Sequence, residues 1–342
     1  MRPSAQTVLI SLPALIALSF CSSVNKGMQP PAAFCECRGI QQREISKENA
    51  ERFGFFSSKL YKNYRENLKN EINIFGVTPA YALWYIDVGS SFPMDVCRAN
   101  DGFHMKTVIN HDIRSHRFTL NRNERMLADI ARGEFDGYFR TFAREAAKFR
   151  RILYYRFGYE MNGDWFAWGE QPENFKKAWR RVHLIFHQEG AHNVEWIFSP
   201  GVLWQNRTFK DDILVYYPGD DVVDIVGLDG YNFGDHHSEY HRWESFEQVF
   251  AKSLVGIARF NKPIWIAEVG CAADARRSEW MKNFFRFIDR NPCIEVFIWF
   301  NDNKQHEPNF RLDADSATLE AFRQWVSEGS PGKKDDRKLV MR

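Results

Sequence analysis

The stretch I-L-Y-Y-R-F-G-Y-E-M-N-G-D-W-F-A-W-G, residues 152–169, sets an apolar run directly before a polar turn crowded with aromatics. The run is short and apolar on both faces, as a strand covered on both sides must be. The turn then places one carboxylate, Glu160, among Arg156, Asn162, Trp165 and Trp168. A carboxyl group walled by aromatic surface holds its proton toward neutral pH, because desolvation disfavours the charged form. Such a group can act as a general acid. Far along the chain a second carboxylate, Glu268 in P-I-W-I-A-E-V-G (residues 263–270), ends another apolar run.

Outward from this stretch the same unit recurs. Apolar runs at 53–56, 80–86, 105–110, 152–157, 194–199, 223–228, 264–269 and 296–300 read as strands. Stretches with helical spacing lie between them, at 59–74, 125–148, 172–189, 246–260, 278–289 and 317–326. In the second of these the apolar positions include Met126, Ile130, Tyr138, Phe142 and Ala146. The third opens on Pro172, where a helix tolerates proline, and aligns Phe175, Trp179, Val182 and Phe186 on one side. Eight strands alternating with helices predict an α/β fold, a (β/α)8 TIM barrel forming a single catalytic domain over 45–327. An open doubly wound sheet is the competing arrangement. It would announce itself with a glycine-rich phosphate loop after the first strand, and none follows residues 53–56.

The barrel carries its own expectation about function, because active-site groups in this fold sit at strand C-termini. Strand three ends in Asn110-His111-Asp112, strand four in Tyr159-Glu160-Met161-Asn162 and strand five in Ser199-Pro200-Gly201 before Trp204. Strand six ends in Asp229-Gly230-Tyr231-Asn232, strand seven in Glu268-Val269-Gly270 and strand eight in Trp299-Phe300-Asn301-Asp302. Any one strand can turn polar simply because it meets water. Two carboxylates, aromatics and amides converging on one mouth form the set that glycoside cleavage needs. One carboxyl group protonates the leaving oxygen, and the second attacks the anomeric carbon or activates water. A retaining mechanism wants the pair roughly 5–5.5 Å apart.

These residues carry a resemblance to glycoside hydrolase family 26, whose members are largely β-mannanases. The Glu160 turn with W-F-A-W-G is similar to the family's acid/base motif. Y-Y-P-G-D-D-V-V-D-I-V-G-L-D-G-Y-N (residues 216–232) is similar to its strand-six region, and K-P-I-W-I-A-E-V-G (residues 262–270) to its nucleophile strand. The resemblance implies a clan A (β/α)8 barrel and a retaining double displacement on a polysaccharide, β-1,4-mannan first. A β-glucan, a β-xylan or an exopolysaccharide comes next. It implies Glu160 as acid/base, Glu268 as nucleophile and Tyr231 as the tyrosine bonded to the nucleophile. Trp299 matches the tryptophan under the sugar and Trp165 the platform on the leaving-group side. Arg156 and Asn162 match the support network, and His111 is in reach of a sugar hydroxyl. The family's mannanases carry histidine where this chain has Tyr159, which cannot hold charge near neutral pH as an imidazole does. Two other activities use the same residues: a transglycosylase, and a polysaccharide-binding barrel without catalysis.

Composition narrows the partners. Of 342 residues 44% are hydrophobic and 15% aromatic, and the formal charge is +2. No basic stripe interleaves with the aromatics, so nucleic acid is not an expected partner. No cofactor or metal is called for, and a monomer is expected. Asp235, His236, His237, Glu239 and His241 cluster in one loop, but without the helical spacing or cysteine partners of a metal site. Residues 206–208 spell a glycosylation sequon. At the front, Arg2 and the apolar run 8–20 match a secretory signal too short to span a bilayer, here over residues 1–21. L-S-F-C (residues 18–21) resembles a lipobox with Cys21 as the lipid-bearing residue, although Phe20 replaces the usual small residue. Export is expected, to a secreted, periplasmic or lipid-anchored location. Residues 22–44 read as a linker and 328–342 as a disordered tail. Setting Cys21 aside leaves Cys35, Cys37, Cys97, Cys271 and Cys293, whose pairing the sequence leaves open.

Overall fold

A computed structural model describes residues 48–203, 207–236 and 242–328. The signal segment with Cys21, the linker with Cys35 and Cys37, Trp204, Asn206 of the sequon, three residues of the His/Glu loop (His237, Glu239, His241) and the C-terminal tail beyond Glu328, which itself ends the last helix, lie outside the described residues.

Eight parallel strands close into a barrel in sequence order, β1 to β8, with β1 pairing β8. The strands are β1 (Phe53–Phe56), β2 (Tyr81–Asp87), β3 (Lys106–Asp112), β4 (Leu153–Phe157), β5 (Val194–Phe198), β6 (Ile225–Asn232), β7 (Ile264–Cys271) and β8 (Ile294–Phe300). Among the described residues the helices are α1 (Tyr64–Phe75), α2 (Met94–Gly102), α3 (Leu120–Glu124), α4 (Met126–Arg132), α5 (Asp136–Phe149), α6 (Pro172–Gln188), α7 (Phe209–Asp212), α8 (Phe246–Ile257), α9 (Arg277–Arg290) and α10 (Ser316–Glu328). The helix expected over 125–148 is two, α4 and α5. Gly133 stands between them at φ 96, a left-handed backbone that glycine adopts without steric cost. Helix α2 was not anticipated.

Alternation along the strands builds two cores. Val108, Tyr154, Trp265, Ile298 and Phe300 fill the barrel interior. Ile109, Tyr155, Ile266 and Trp299, their neighbours in sequence, face outward and pack with the helices, for example against Phe139, Trp179 and Phe284. The interior is therefore a packed plug, and the chemistry is confined to the rim above it.

Strands β3, β6 and β7 run further than their apolar runs suggest, to Asp112, Asn232 and Cys271. Their polar ends are thus held within the sheet. Cys97 and Cys271 are buried free thiols, and Cys293 is buried as well.

Candidate active site

Parity decides which strand-end residues meet. On β3, Asn110 pairs in register with Arg156 of β4, and both project into the barrel mouth with Asp229 of β6. On β7, plain alternation would send Glu268 outward, since Ala267 packs in the barrel interior. The pairing with β6 steps over Ala267, matching Leu228 to Ile266 and Asp229 to Glu268. A bulge of this kind re-aims a side chain, and here it turns Glu268 inward.

Arg156 is the hub. Its guanidinium is fully buried and donates to Glu268 Oε1 at 2.7 Å, Asn110 Oδ1 at 3.0 Å and Ser199 Oγ at 2.7 Å, and it also pairs with Asp229. Ser199 in turn donates to Asp229 at 2.8 Å. Burial works against the arginine's charge, but Asp229 and Glu268 outweigh it and hold the group protonated. Glu268 accepts further bonds from Asn110 Nδ2 at 2.9 Å and from the Tyr231 hydroxyl at 2.5 Å.

Glu160 lives in a different environment. Its backbone is left-handed, φ 49, which is uncommon for a side-chain-bearing residue and clusters at functional sites. Its amide donates to Ser199 O at 2.8 Å, pinning the turn to the end of β5. The side chain accepts the indole N–H of Trp165 at 2.5 Å. Burial, followed by the negative charge of Glu268, pushes its carboxyl up to about 8, against the opposing pull of Trp165 and Arg156. Carboxylate oxygens of Glu160, Asp229 and Glu268 lie within 4.8 Å of one another. Three such oxygens could hold a cation, but the Arg156 guanidinium already lies against two of these carboxylates. The arrangement sets one carboxyl group that keeps its proton near neutrality beside a second that is held by Arg156, Asn110 and Tyr231.

The other expected site residues divide. Trp165 is half exposed beside Glu160, and Tyr231 sits on Glu268. Asn162 is close to the site but spends its amide on Gly201 N, Gly201 O and Asp212, so it fastens two loops and is not free for a sugar. Trp299 is not at the mouth. It is fully buried on the helix side, donates its indole N–H to Phe310 O and lies near Arg277 and Trp280; Phe300 is the strand-eight aromatic on the inner face. His111 also points outward, buried between the hydroxyls of Tyr155 and Tyr138, and burial drives its pKa down to about 3. It is a neutral core histidine. Trp168 is core as well, stacked on Phe166 at 4.4 Å.

Asn110, Ser199 and Asp229 were visible as strand-end polar residues without an assigned part. The Asp229 side chain is bonded to Arg156 and Ser199 within the charge network. Tyr159, which stands where the resembling mannanases have histidine, donates to Asp112 Oδ1 at 2.9 Å, and Asp112 also pairs with Arg114 at 2.7 Å. In the loop after β6, His236 lies against the His306 carbonyl and Asp235 pairs with Arg276.

Residues 135–284 match the family model of Glycosyl hydrolase family 26. Endoglucanase H of Acetivibrio thermocellus is 32% identical over 212 residues, covering 59% of this chain and 23% of that protein. A mannan endo-1,4-beta-mannosidase of Bacillus subtilis is 32% identical over 180 residues, covering 49% of this chain and 44% of the relative. The chain thus spans less than half the length of these curated relatives. Among solved structures, a beta-mannanase from Bacteroides ovatus superposes with a TM-score of 0.63 at 18% identity, over 86% of this chain and 92% of that one. At that identity the likeness speaks for the barrel alone.

Proposed function

For a chain that belongs to glycosyl hydrolase family 26, we propose retaining hydrolysis of β-glycosidic bonds in a polysaccharide, with Glu160 as acid/base and Glu268 as nucleophile. The observation that carries this reading is the approach of the two carboxylates to within 4.8 Å. Oxygens this close fit direct attack by one of the carboxylates better than the roughly 6.5–9.5 Å between groups that an inverting pair needs to admit water.

In the first step Glu160 gives its proton to the glycosidic oxygen while Glu268 attacks the anomeric carbon. The bond to the leaving sugar breaks and a glycosyl ester of Glu268 forms. In the second step Glu160, now ionised, takes a proton from water, whose oxygen attacks the anomeric carbon and releases Glu268. Arg156 and Asn110 hold Glu268 in place and favour its departure as a carboxylate, and Tyr231 donates to its other oxygen. Trp165 offers a half-exposed ring beside the acid, on which a leaving sugar can stack.

β-1,4-Mannan is the first substrate, in line with the relatives named mannan endo-1,4-beta-mannosidase. A β-glucan is the second reading. The likeness to a protein named Endoglucanase H favours it, and Tyr159 departs from the histidine of the resembling mannanases. Residues 1–21 direct export on this account, with Cys21 as the lipid-bearing residue; mass spectrometry of the mature N-terminus tests both points.

The test of function is release of reducing ends from β-1,4-mannan, mixed-linkage β-glucan and β-1,3-xylan by the purified protein, Glu160→Gln and Glu268→Gln. The wild type cleaves at least one polymer, and each substitution removes that activity while the fold is kept. Full activity in either variant rules the assignment out.

A further inference from the structure

A cleft of about 810 Å³ opens between the ends of β2 and β3, beside the catalytic mouth. It shares a wall with the site. Asp112 lines it and accepts the hydroxyl of Tyr159, the residue immediately before Glu160. Tyr85 lines it too, with its ring 5.5 Å from that of Tyr159. Trp165 approaches Glu160 from the β5 side, where its ring lies near Gly201. The cleft lies on the β3 side of Glu160, away from Trp165, and so offers room for a chain that extends past the acid from that ring.

Its two walls differ in chemistry. One is aromatic: Tyr61 is half exposed, its ring lies 4.3 Å from that of Trp84, and its hydroxyl is tied to the backbone of Tyr85 at 3.3 Å. The other is polar: Arg114 Nη2 holds Asp112 Oδ2 at 2.7 Å, and its Nε stands 3.9 Å from Asp87. Two carboxylates already balance the guanidinium, which weighs against an anionic ligand. Hydrogen-bonding capacity is left over, since a guanidinium has five donors and each carboxylate oxygen has two lone pairs. A neutral pyranose presents an apolar face and a rim of hydroxyls, matching these two walls.

We propose that Asp112 and Arg114 form a specificity-determining clamp that reads adjacent hydroxyls of a neutral sugar unit in this cleft, with Tyr61 and Trp84 as its stacking wall. One hydroxyl donates to Asp112 while its neighbour accepts from Arg114. The inference rests on the glycanase reading of the adjoining site. It adds that affinity for the chain is set by a unit beyond the bond that is cleaved.

The test is calorimetric titration of the full chain carrying Glu160→Gln, so that binding is read without turnover. The probes are mannohexaose and a mixed-linkage β-glucan hexasaccharide, with mannobiose and cellobiose as short controls. Adding Arg114→Ala weakens the hexasaccharide that binds by roughly 10-fold or more, the size expected for lost hydrogen bonds to a charged group. Arg114→Lys does not restore it, because an ammonium lacks the planar fork. Tyr61→Ala, at an exposed ring, weakens the same probe, and no variant changes the affinity of the disaccharides. Equal hexasaccharide affinity with and without Arg114 and Tyr61, or no binding of either hexasaccharide, overturns the clamp. A wild type that releases no reducing ends while Arg114→Ala still weakens binding would instead leave the clamp standing and remove the hydrolase reading.

Discussion

Oxygens of Glu160 and Glu268 lie within 4.8 Å of each other, yet the two groups have unlike surroundings. Glu268 is met by Arg156, Asn110 and Tyr231, whereas Glu160 has the indole N–H of Trp165 at the aromatic edge of the mouth. Burial and the negative charge of Glu268 together keep the proton on Glu160.

The pH profile follows from this asymmetry. Glu160 must be protonated to start the reaction and releases its proton around pH 8. kcat/KM therefore falls as pH rises through about 8. The Trp165 indole stabilises the ionised form, so Trp165→Phe moves that alkaline limb to higher pH. Initial rates from pH 5 to 10 for both proteins check the direction, and a limb that stays put or moves down contradicts it.

Stability should carry the same signature. The folded Glu160 titrates near 8, and the unfolded group near the ordinary glutamate value of 4.5. The folded state thus binds the extra proton between these values. Its contribution is complete below about 4.5 and is lost as pH rises to about 8. Glu160→Gln never ionises, so its melting temperature should gain on the wild type across that window, by several degrees at roughly 2–4 °C per kcal/mol. Thermal melts at pH 5 and pH 9 make the comparison.

Arg156 is the group whose loss should be hardest to tolerate. Removing it strands Asp229 and Glu268 in the barrel mouth without their cation. Breaking a buried pair in this way costs about 3–5 kcal/mol. Arg156→Met should lose activity and show a lower denaturation midpoint in urea. An Arg156→Met protein as stable as the wild type would mean that the network is not held by charge.

Trp299 provides a contrast. It lies on the helix side and shares Phe310 O with Arg277. Trp299→Phe should lower stability by about 1–3 kcal/mol through the lost packing and hydrogen bond, and leave KM unchanged. A marked rise in KM would return this tryptophan to the sugar.

The fates of Trp299 and His111 show where the sequence stops being legible. The barrel could be read because eight apolar runs alternate with amphipathic ones, and Glu160 and Glu268 because each follows such a run. Which face each residue takes was hidden. Strands covered on both sides are apolar at every position, so Ile298, Trp299 and Phe300 give no clue to their phase. His111 and Asn110 differ by one position, and one enters the core while the other reaches Glu268. Glu268 itself is turned inward by a bulge at Ala267 that no local pattern announces. The Arg156 network joins β3, β4, β6 and β7 to Ser199 at the end of β5 and could be seen only once their register was fixed.

If Glu160 and Glu268 act as a retaining pair, the stereochemistry of the first product reveals it. Proton NMR of the anomeric signals, recorded while the purified protein cleaves β-1,4-mannan or mixed-linkage β-glucan, separates the outcomes before mutarotation mixes them. The β-anomer appearing first, with the α-anomer growing in later, is the predicted result. Initial appearance of the α-anomer would mean inversion, and would contradict the assigned roles of both glutamates.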